Sequence, residues 1–360
     1  MSSNETVRVL IVDDSATARA AIRAALALDK YVVVAGEAVS GEEALRLVQR
    51  LRPDIVTMDL YLTGTAGIDV ARAIMEECPT PILIVTAFHP TDPGLAFKAV
   101  AAGALDVCGK PPAPVNPEYR REQKRLVRLV RTLARVPVVR RHPARARAGT
   151  PAGFPRADSQ PRRRDLIAVG ASTGGPPIVR DLLRALPAEF PLPVVVVQHM
   201  TTGFGESYSQ WLAAETERKV VYVCDRATLA PSTVFVADDN RHLQVVKGRL
   251  LVCSDEAAIN FQRPSIDLFF SSVARELGAR AVAILLTGMG SDGADGLFAL
   301  REAGALTIAQ SPETCAVDSM PNSAIRQDAV ALVLRPGAIA EAIVSLQNGA
   351  RSPVEPTRIP

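Results

Sequence analysis

The sequence has no uninterrupted apolar run that approaches the roughly 20 residues of a membrane span, although 48% of its residues are hydrophobic. Its first residues, MSSNETVRV, lack the basic and then apolar pattern of a secretory signal peptide. These two absences argue against an integral membrane or secreted protein, and we expect a cytoplasmic one. The length of 360 residues is sufficient for about two domains, each with its own core.

Cysteine pairs are also missing. Cys78, Cys108, Cys224, Cys253 and Cys315 form no CxxC pair and no spacing suited to zinc. This pattern argues against a zinc site and a disulfide framework, and it predicts reduced, individually packed thiols of the kind found in the cytosol.

Net charge is small, at +3, but it is unevenly distributed. Residues 119–164 contain fourteen Arg and one Lys against two acidic residues, so this segment carries +13. In its first part Leu126, Leu129, Val130 and Leu133 lie at helical spacing, which predicts a basic amphipathic helix. We interpret it as a docking or linker helix with a solvated charged face; a helix on a membrane or a nucleic acid is the alternative.

The remainder of this basic segment is rich in Pro, Arg, Ala and Gly and predicts a flexible linker. We therefore expect a first domain over residues 1–117, a linker with its helix over 118–164, a second domain over 165–348 and a tail over 349–360. In both domains buried-strand patterns alternate with helical patterns. This alternation predicts two doubly wound, parallel α/β domains, the first flavodoxin-like and the second a Rossmann-like three-layer fold.

Polar side chains follow four predicted strands of the first domain: Asp13 and Asp14, Asp59, Thr86, and Lys110. The carboxyl ends of parallel strands meet at one edge of the sheet, where ligands bind. Three carboxylates there would repel one another unless a hard divalent cation shared them, and oxygen ligands suit Mg²⁺. A nearby lysine can pair with an added phosphoryl group. The alternative is that the acidic strand ends are merely solvated.

In this order, the Asp-Asp pair, the central Asp, the Thr and the Lys-Pro resemble the receiver domain of two-component response regulators. The resemblance implies that Asp59 accepts a phosphoryl group from a histidine kinase. It also implies that Asp13, Asp14 and Asp59 hold Mg²⁺, that Thr86 donates a hydrogen bond to the phosphoryl oxygens, and that Lys110 neutralises them.

The resemblance covers residues 7–112 and has departures. Receiver domains usually continue after the phosphoacceptor with Met-Pro and later Asp-Gly, whereas this chain has Leu62-Thr63 and Ala66-Gly67. They commonly carry an aromatic switch residue three positions before the lysine, where Val107 stands here. These departures concern the coupling to an output and leave the phosphorylation chemistry in place.

The second domain opens with DLIAVGASTGGPP, residues 165–177, which predicts a buried strand and a glycine turn around Ser172. Residues 170–174 fit G-x-S-x-G, a strand-turn-helix that exposes a serine oxygen above the sheet. By itself this turn fits a nucleophile, a phosphate-binding turn or an ordinary loop.

His199 follows the second buried strand of this domain, and Asp292 lies beyond the third. A serine hydroxyl needs a base within hydrogen-bond reach, and that base needs an acceptor that fixes its tautomer. Ser172, His199 and Asp292 can supply these roles, with His242 as the alternative base. Their order along the chain differs from the Ser, Asp, His order of α/β-hydrolases, which argues against the lipase-esterase fold.

Gly288, Gly290 and Gly293 spell G-x-G-x-x-G directly after a predicted strand. A dinucleotide site needs an acidic residue at the end of the next strand, about 20 positions on, and that strand ends on Gln310. We therefore do not expect NAD binding.

Five longer motifs of the second domain resemble the CheB-type chemotaxis methylesterases: Gly-Ala-Ser-Thr-Gly-Gly-Pro, Val-Gln-His-Met, Arg-Pro-Ser-Ile-Asp-Leu-Phe, Leu-Thr-Gly-Met-Gly-Ser-Asp-Gly-Ala and Met-Pro-Asn-Ser-Ala-Ile. The resemblance implies that Ser172 is the nucleophile, His199 the general base and Asp292 the orienting carboxylate. It implies an oxyanion hole made by the backbone N–H groups of Thr173 and Met289.

This second resemblance has departures at residues 237–239, Ala-Asp-Asp where the family tends to have Ala-Pro-Gly, and at residues 318–319, Asp-Ser where it tends to have Tyr-Gly. Together, the two resemblances imply a phosphorylation-activated hydrolase of glutamate methyl esters, and of glutamine amides, on membrane-bound methyl-accepting chemoreceptors. The esterase reaction itself is expected to need no cofactor, and nucleic acid is not an expected partner. Two rival hypotheses are a response regulator that binds nucleic acid through the basic linker, and a docking protein whose domains have lost their chemistry.

Overall fold

The computed structural model describes residues 5–87, 95–117, 119–136, 138 and 164–347. The chain divides into two compact units, Met1–Arg145 and Ala146–Pro360. Most of the predicted linker, residues 139–163, and the predicted tail, residues 349–360, lie outside the described residues. Within the described part, no helix is both long and apolar enough to cross a membrane.

The first unit contains a five-stranded parallel sheet in the order β2-β1-β3-β6-β7, with a short antiparallel hairpin of β4 and β5 after β3. The chain leaves β1 for β2 on one side and reaches β3 on the other, so the switch point of the sheet lies between β1 and β3. The strands are β1 (Val7–Val12), β2 (Val32–Ala38), β3 (Ile55–Met58), β4 (Tyr61–Leu62), β5 (Thr65–Ala66), β6 (Ile82–Thr86) and β7 (Asp106–Gly109).

In the described part of this unit the helices are α1 (Ala16–Leu26), α2 (Gly41–Leu51), α3 (Gly67–Glu77), α4 (Leu95–Ala101) and α5 (Tyr119–Leu133). Two of them begin at a serine that accepts a hydrogen bond from the first helical turn, as helix N-caps do. Ser15 Oγ accepts from the N–H of Ala18, and Ser40 Oγ from the N–H of Glu43. Ser15 and Ser40 therefore fix the points at which α1 and α2 begin.

The basic helix α5, which we expected to belong to the linker, packs in the first unit. Leu126, Leu129, Val130 and Leu133 are buried in one hydrophobic cluster with residues of β1, β3 and β6. Arg131 of the charged face lies 2.9 Å from Asp29, which follows α1. The helical spacing was correctly predicted, but its apolar stripe packs within the unit and is not available to a membrane.

The second unit contains a seven-stranded parallel sheet in the order β10-β12-β9-β8-β15-β16-β17, and an antiparallel sheet in the order β11-β14-β13. The strands are β8 (Leu166–Ala171), β9 (Val194–Gln198), β10 (Lys219–Val223), β11 (Arg226–Thr228), β12 (Thr233–Ala237), β13 (His242–Val246), β14 (Leu250–Ser254), β15 (Ala281–Leu285), β16 (Leu306–Gln310) and β17 (Leu332–Leu334).

The helices of this unit are α6 (Gly175–Ala185), α7 (Gly205–Thr216), α8 (Ile266–Glu276), α9 (Ala294–Glu302), α10 (Ser319–Arg326) and α11 (Pro336–Gln347). The chain leaves β8 for β9 on one side and later returns to β15 on the other. Because loops diverge at such a point, a crevice forms beyond the carboxyl ends of β8 and β15. Both units thus have the predicted α/β architecture with parallel sheets.

Candidate functional sites

The acidic site of the first unit lies at the switch point between β1 and β3. Asp13 and Asp14 follow β1, and Asp59 follows β3. One carboxylate oxygen of each lies within 4.8 Å of the other two. Asp13 and Asp59 are buried, whereas Asp14 is exposed. Three oxygen donors at this spacing fit a hard divalent cation.

The other predicted residues of this site contact Asp59. Lys110 Nζ lies 2.6 Å from Asp59 Oδ2 and 2.7 Å from Asp13 Oδ2. Thr86 Oγ1 donates to Asp59 Oδ1 at 2.8 Å, and the N–H of Leu60 donates to the same oxygen at 2.7 Å. Thus the ends of β1, β3, β6 and β7 bring the predicted residues together around one carboxylate.

Burial and ion pairing shift the pKa values of this cluster in opposite directions. Burial raises the pKa of Asp13 although Lys110 opposes the shift. Burial alone would lower the pKa of Lys110, but its hydrogen bonds to Asp13 and Asp59 outweigh this effect and raise it. The hydroxyl of Thr63 holds the pKa of the Asp14 carboxyl below its ordinary value. The site therefore pairs carboxylates with an ammonium group that stays charged at neutral pH.

The second site begins at the turn between β8 and α6. The N–H of Ser172 donates to Thr287 O at 3.0 Å, and the N–H of Gly175 donates to Ser172 O at 2.8 Å. Gly174 has a φ of +75°, and a Cβ there would lie 2.5 Å from the Cβ of Ala316. Only glycine fits this conformation and this space, so the turn around Ser172 is tight and fixed.

His199 lies beside Ser172 because of the register of the sheet. Ala171 of β8 pairs with Gln198 of β9, so the next residue of each strand is a neighbour across the sheet. The N–H of His199 donates to Ala171 O at 2.9 Å. Gln198 Nε2 then donates to both Ser172 O, at 2.7 Å, and His199 O, at 3.0 Å. The side chain of Gln198 thus joins the two backbones of the candidate nucleophile and base.

The carboxylate of Asp292 accepts hydrogen bonds from both His199 and the beginning of α8. His199 Nε2 lies 2.9 Å from Asp292 Oδ2, and the N–H of Ile266 donates to the same oxygen at 2.8 Å. Ser265 Oγ and the N–H of Asp267 donate to Asp292 Oδ1 at 2.9 and 3.0 Å. Burial by itself would raise the pKa of Asp292, but His199 and the two backbone N–H groups hold it well below its ordinary range. Asp292 is therefore an ionised acceptor.

These contacts determine the tautomer of His199. Because Asp292 is acceptor-only when ionised, Nε2 of His199 must carry the proton, and in the neutral ring Nδ1 then has the lone pair. His199 Nδ1 is buried and has no hydrogen-bond partner among the described residues. The ring nitrogen that can accept a proton is therefore free of any competing donor.

The loop after β15 lies against the Ser172 turn. A Cβ at Gly288 would lie 2.7 Å from Ser172 Cβ. Thr287 Oγ1 donates toward Thr173 O and Val317 O, both at 3.0 Å, which ties this loop to the turn. Within the described part of the chain, the N–H groups of Thr173 and Met289 have no acceptor. Two backbone donors thus remain available next to Ser172.

Comparisons with known proteins agree with this geometry. A family model described as CheB methylesterase matches residues 167–343, and one described as response regulator receiver domain matches residues 9–116. The protein-glutamate methylesterase/protein-glutamine glutaminase 3 of Anaeromyxobacter dehalogenans (strain 2CP-C) is 43% identical over 337 residues, which cover 93% of this chain and 97% of that protein. This chain belongs to the CheB methylesterase family.

A further relative carries a similar name. Protein-glutamate methylesterase/protein-glutamine glutaminase 4 of Geobacter metallireducens (strain ATCC 53774 / DSM 7210 / GS-15) is 39% identical over 342 residues, covering 94% of this chain and 99% of that protein. The crystal structure of the CheB methylesterase catalytic domain of Thermotoga maritima is 33% identical and covers 51% of this chain and 100% of that one, with a TM-score of 0.49. The two curated relatives, matched over 97% and 99% of their own lengths, span both units of this chain.

His242, the alternative base, is excluded by its contacts in this member of the CheB methylesterase family. It is fully buried, and its Nδ1 accepts from the N–H of Ser265 at 3.1 Å. Its Nε2 lies 3.1 Å from Ala257 O. Since both ring nitrogens are occupied, His242 supports the start of α8 and has no free nitrogen for Ser172.

The motifs did not reveal several supporting residues. Ser265 caps α8 and also bonds Asp292, and Asp267 Oδ1 accepts from the N–H groups of Gly293 and Gly296 at the start of α9. A signal was present in the sequence, because a Ser directly before an apolar stretch and an Asp two positions later are typical of a helix start. This local signal does not indicate that Asp267 accepts hydrogen bonds from the start of α9, or that Asp292 accepts them from the start of α8.

Gly203 and Gly205 show a similar arrangement after His199. Their N–H groups donate to Asp239 Oδ2 at 2.9 and 2.5 Å, at the N-terminus of α7. Burial raises the pKa of Asp239, which these backbone bonds oppose. Asp239 is one of the residues at which the chain departs from the family pattern, and the structure places it in the support of the loop that follows His199.

Proposed function

We propose that this chain is a protein-glutamate methylesterase and protein-glutamine glutaminase that acts through Ser172, His199 and Asp292. The observation that carries the proposal is the His199 ring, on the residue that neighbours Ser172 across the sheet, with Nε2 held by Asp292 and Nδ1 without a partner among the described residues. A serine beside such a nitrogen can lose its proton to the ring as it attacks a carbonyl carbon.

In the first half of the proposed reaction, Ser172 Oγ attacks the ester carbonyl of a methylated glutamate while His199 Nδ1 takes the hydroxyl proton. The negative oxygen that develops accepts hydrogen bonds from the N–H groups of Thr173 and Met289. Asp292 stabilises the imidazolium. The ester bond then breaks, the proton on Nδ1 passes to the leaving oxygen, and methanol departs.

In the second half, His199 Nδ1 takes a proton from water, the hydroxide attacks the acyl group on Ser172, and the proton returns to Ser172 Oγ. The product is the free carboxylate of the glutamate. The same steps applied to a glutamine release ammonia in place of methanol, so one set of residues serves both reactions.

We also propose that Asp59 accepts a phosphoryl group from a CheA-type histidine kinase and that this modification raises the hydrolytic activity. Asp13, Asp14 and Asp59 would hold Mg²⁺, which when bound offsets the negative charge of the incoming group. Thr86 and Lys110, which contact Asp59 in the unmodified chain, would then bind the phosphoryl oxygens. Membrane-bound methyl-accepting chemoreceptors are the proposed substrate, and the cytoplasm is the proposed location.

The esterase proposal is tested by Ser172→Ala in the full chain. Methanol release from receptor membranes that carry labelled methyl esters should fall by several orders of magnitude, because alanine has no hydroxyl to attack the ester. Ser271→Ala is the matched control, since Ser271 is exposed on α8 and should keep full activity. Hydrolysis by the Ser172 variant at the rate of the unmodified chain would refute the assignment, and binding without hydrolysis by the unmodified chain would favour a docking protein.

A further inference from the structure

One contact of the acidic site in the first unit is assigned by neither the sequence motifs nor the family resemblance. After Asp59 the chain forms the hairpin of β4 and β5, which turns at Thr63 and Gly64. Gly64 has a φ of +82°, a conformation that glycine adopts without strain. The hairpin brings Thr63 back to Asp14, 49 residues earlier in the chain.

Thr63 binds Asp14 with both of its donors. Its N–H lies 3.1 Å from Asp14 Oδ2 and its hydroxyl 2.6 Å from the same oxygen. Both bonds from Thr63 therefore use the same oxygen of the Asp14 carboxylate. Because Asp14 is exposed, its side chain would otherwise exchange between rotamers, and the two bonds hold it in one of them.

These bonds depend on a departure of this chain from the receiver pattern. Proline usually occupies the position of Thr63, and proline has neither a backbone N–H nor a hydroxyl. A chain with proline there cannot make either bond to Asp14. Leu62, which stands where methionine is usual, is buried. Thr63 therefore adds two hydrogen-bond donors to the turn, and Leu62 keeps a buried apolar side chain beside it.

With Asp14 held by Thr63, the three carboxylates lie close to one another. In this arrangement an oxygen of Asp14 lies within 4.8 Å of oxygens of Asp13 and Asp59. Three carboxylates face one ammonium group, that of Lys110, so a divalent cation matches the remaining charge. Lys110 contacts Asp13 and Asp59, whereas Asp14 is held by Thr63.

We propose that Thr63 is a positioning residue of the divalent-cation site: by holding Asp14 Oδ2 it preorganises the third carboxylate for the ion. The ion then binds without first ordering the Asp14 side chain. The cost of ordering one such side chain corresponds to about a 3- to 10-fold difference in affinity.

The test is the Mg²⁺ dissociation constant of the full chain, measured by displacement of Mn²⁺ observed by EPR. Thr63→Ser keeps both donors and should bind Mg²⁺ as the unmodified chain does. Thr63→Val keeps the N–H alone and should bind it about 3-fold more weakly, and Thr63→Pro, which loses both donors, about 10-fold more weakly. Thr65→Val, at an exposed position of the same hairpin, is the matched control and should leave the affinity unchanged.

Thermal unfolding in the absence of metal separates positioning from folding. If Thr63→Pro unfolds, the comparison of Thr63→Val with Thr63→Ser still tests the proposal. Equal affinities for these two variants would overturn it, and so would tighter binding by Thr63→Val, which would mean that Thr63 competes with the ion for Asp14. This titration needs neither phosphodonor nor methylated receptor, so its result is independent of the proposed esterase activity.

Discussion

Replacement of Asp292 by asparagine tests the electrostatic core of the proposed site. Asp292 uses both carboxylate oxygens, one for His199 Nε2 and the N–H of Ile266, the other for Ser265 Oγ and the N–H of Asp267. Asparagine has one acceptor oxygen. Whichever way the amide lies, its NH₂ group faces one backbone N–H at the start of α8, and that donor loses its acceptor.

This geometry predicts the size of two effects of Asp292→Asn, one on stability and one on activity. The orphaned N–H should cost about 1–3 kcal/mol of unfolding free energy. If the amide NH₂ faces His199, it donates to Nε2, so the proton moves to Nδ1 and the base toward Ser172 is lost. If the oxygen faces His199, the imidazolium lacks a charged partner. In either orientation kcat/KM for methanol release should fall by a factor on the order of 10⁴.

The assay measures methanol release together with urea unfolding for Asp292→Asn, His199→Ala and the double variant. Because the two residues act as a unit, the double variant should be about as slow as either single variant. Asp295→Asn, an exposed position in the first turn of α9, is the control and should leave kcat/KM unchanged and alter the unfolding free energy by less than about 1 kcal/mol. A loss of activity below about tenfold for Asp292→Asn, or additive losses in the double variant, would refute the reasoning.

Three further predictions use other parts of the structure. Asp59→Asn should keep basal hydrolysis but lose its stimulation by a small-molecule phosphodonor, and undiminished stimulation would contradict phosphorylation control. Gly174→Ala should lower the unfolding free energy by about 1–3 kcal/mol and slow methanol release, because a Cβ meets Ala316 at a φ of +75°; a stable, fully active variant would show that the turn is not tight. Burial and Asp292 raise the pKa of Asp267 to about 7, so its share of stability is present below its ordinary pKa of 3.8 and is lost as pH rises toward 7. Asp267→Asn should therefore gain stability relative to the unmodified chain as pH rises from about 4 to about 7, measured by urea unfolding, and a constant difference over this range would contradict the raised pKa.

Sequence patterns were sufficient to predict the strands and helices, and the strand ends at which the candidate site residues lie. The predicted alternation of strands and helices is present, for example in the helix Gly41–Leu51 and the strands Ile82–Thr86 and Val194–Gln198. Periodicity and caps act over a few residues, so a short window of sequence contains them. The order of strands in a parallel α/β sheet then brings their carboxyl ends to one edge, which is how Asp59 and Ser172 could be located.

Tertiary structure decided which partner each of these residues has. Asp292 meets Ile266 across 26 residues, Arg131 meets Asp29 across 102, and Thr63 meets Asp14 across 49. No local pattern contains such pairs, because they form only when segments distant in the sequence meet in the folded chain. The contacts of His242 and the placement of α5 depend on the same packing. The sequence by itself therefore determined the kinds of residue at each site, and the folded chain determined which nitrogen, oxygen and helix each of them engages.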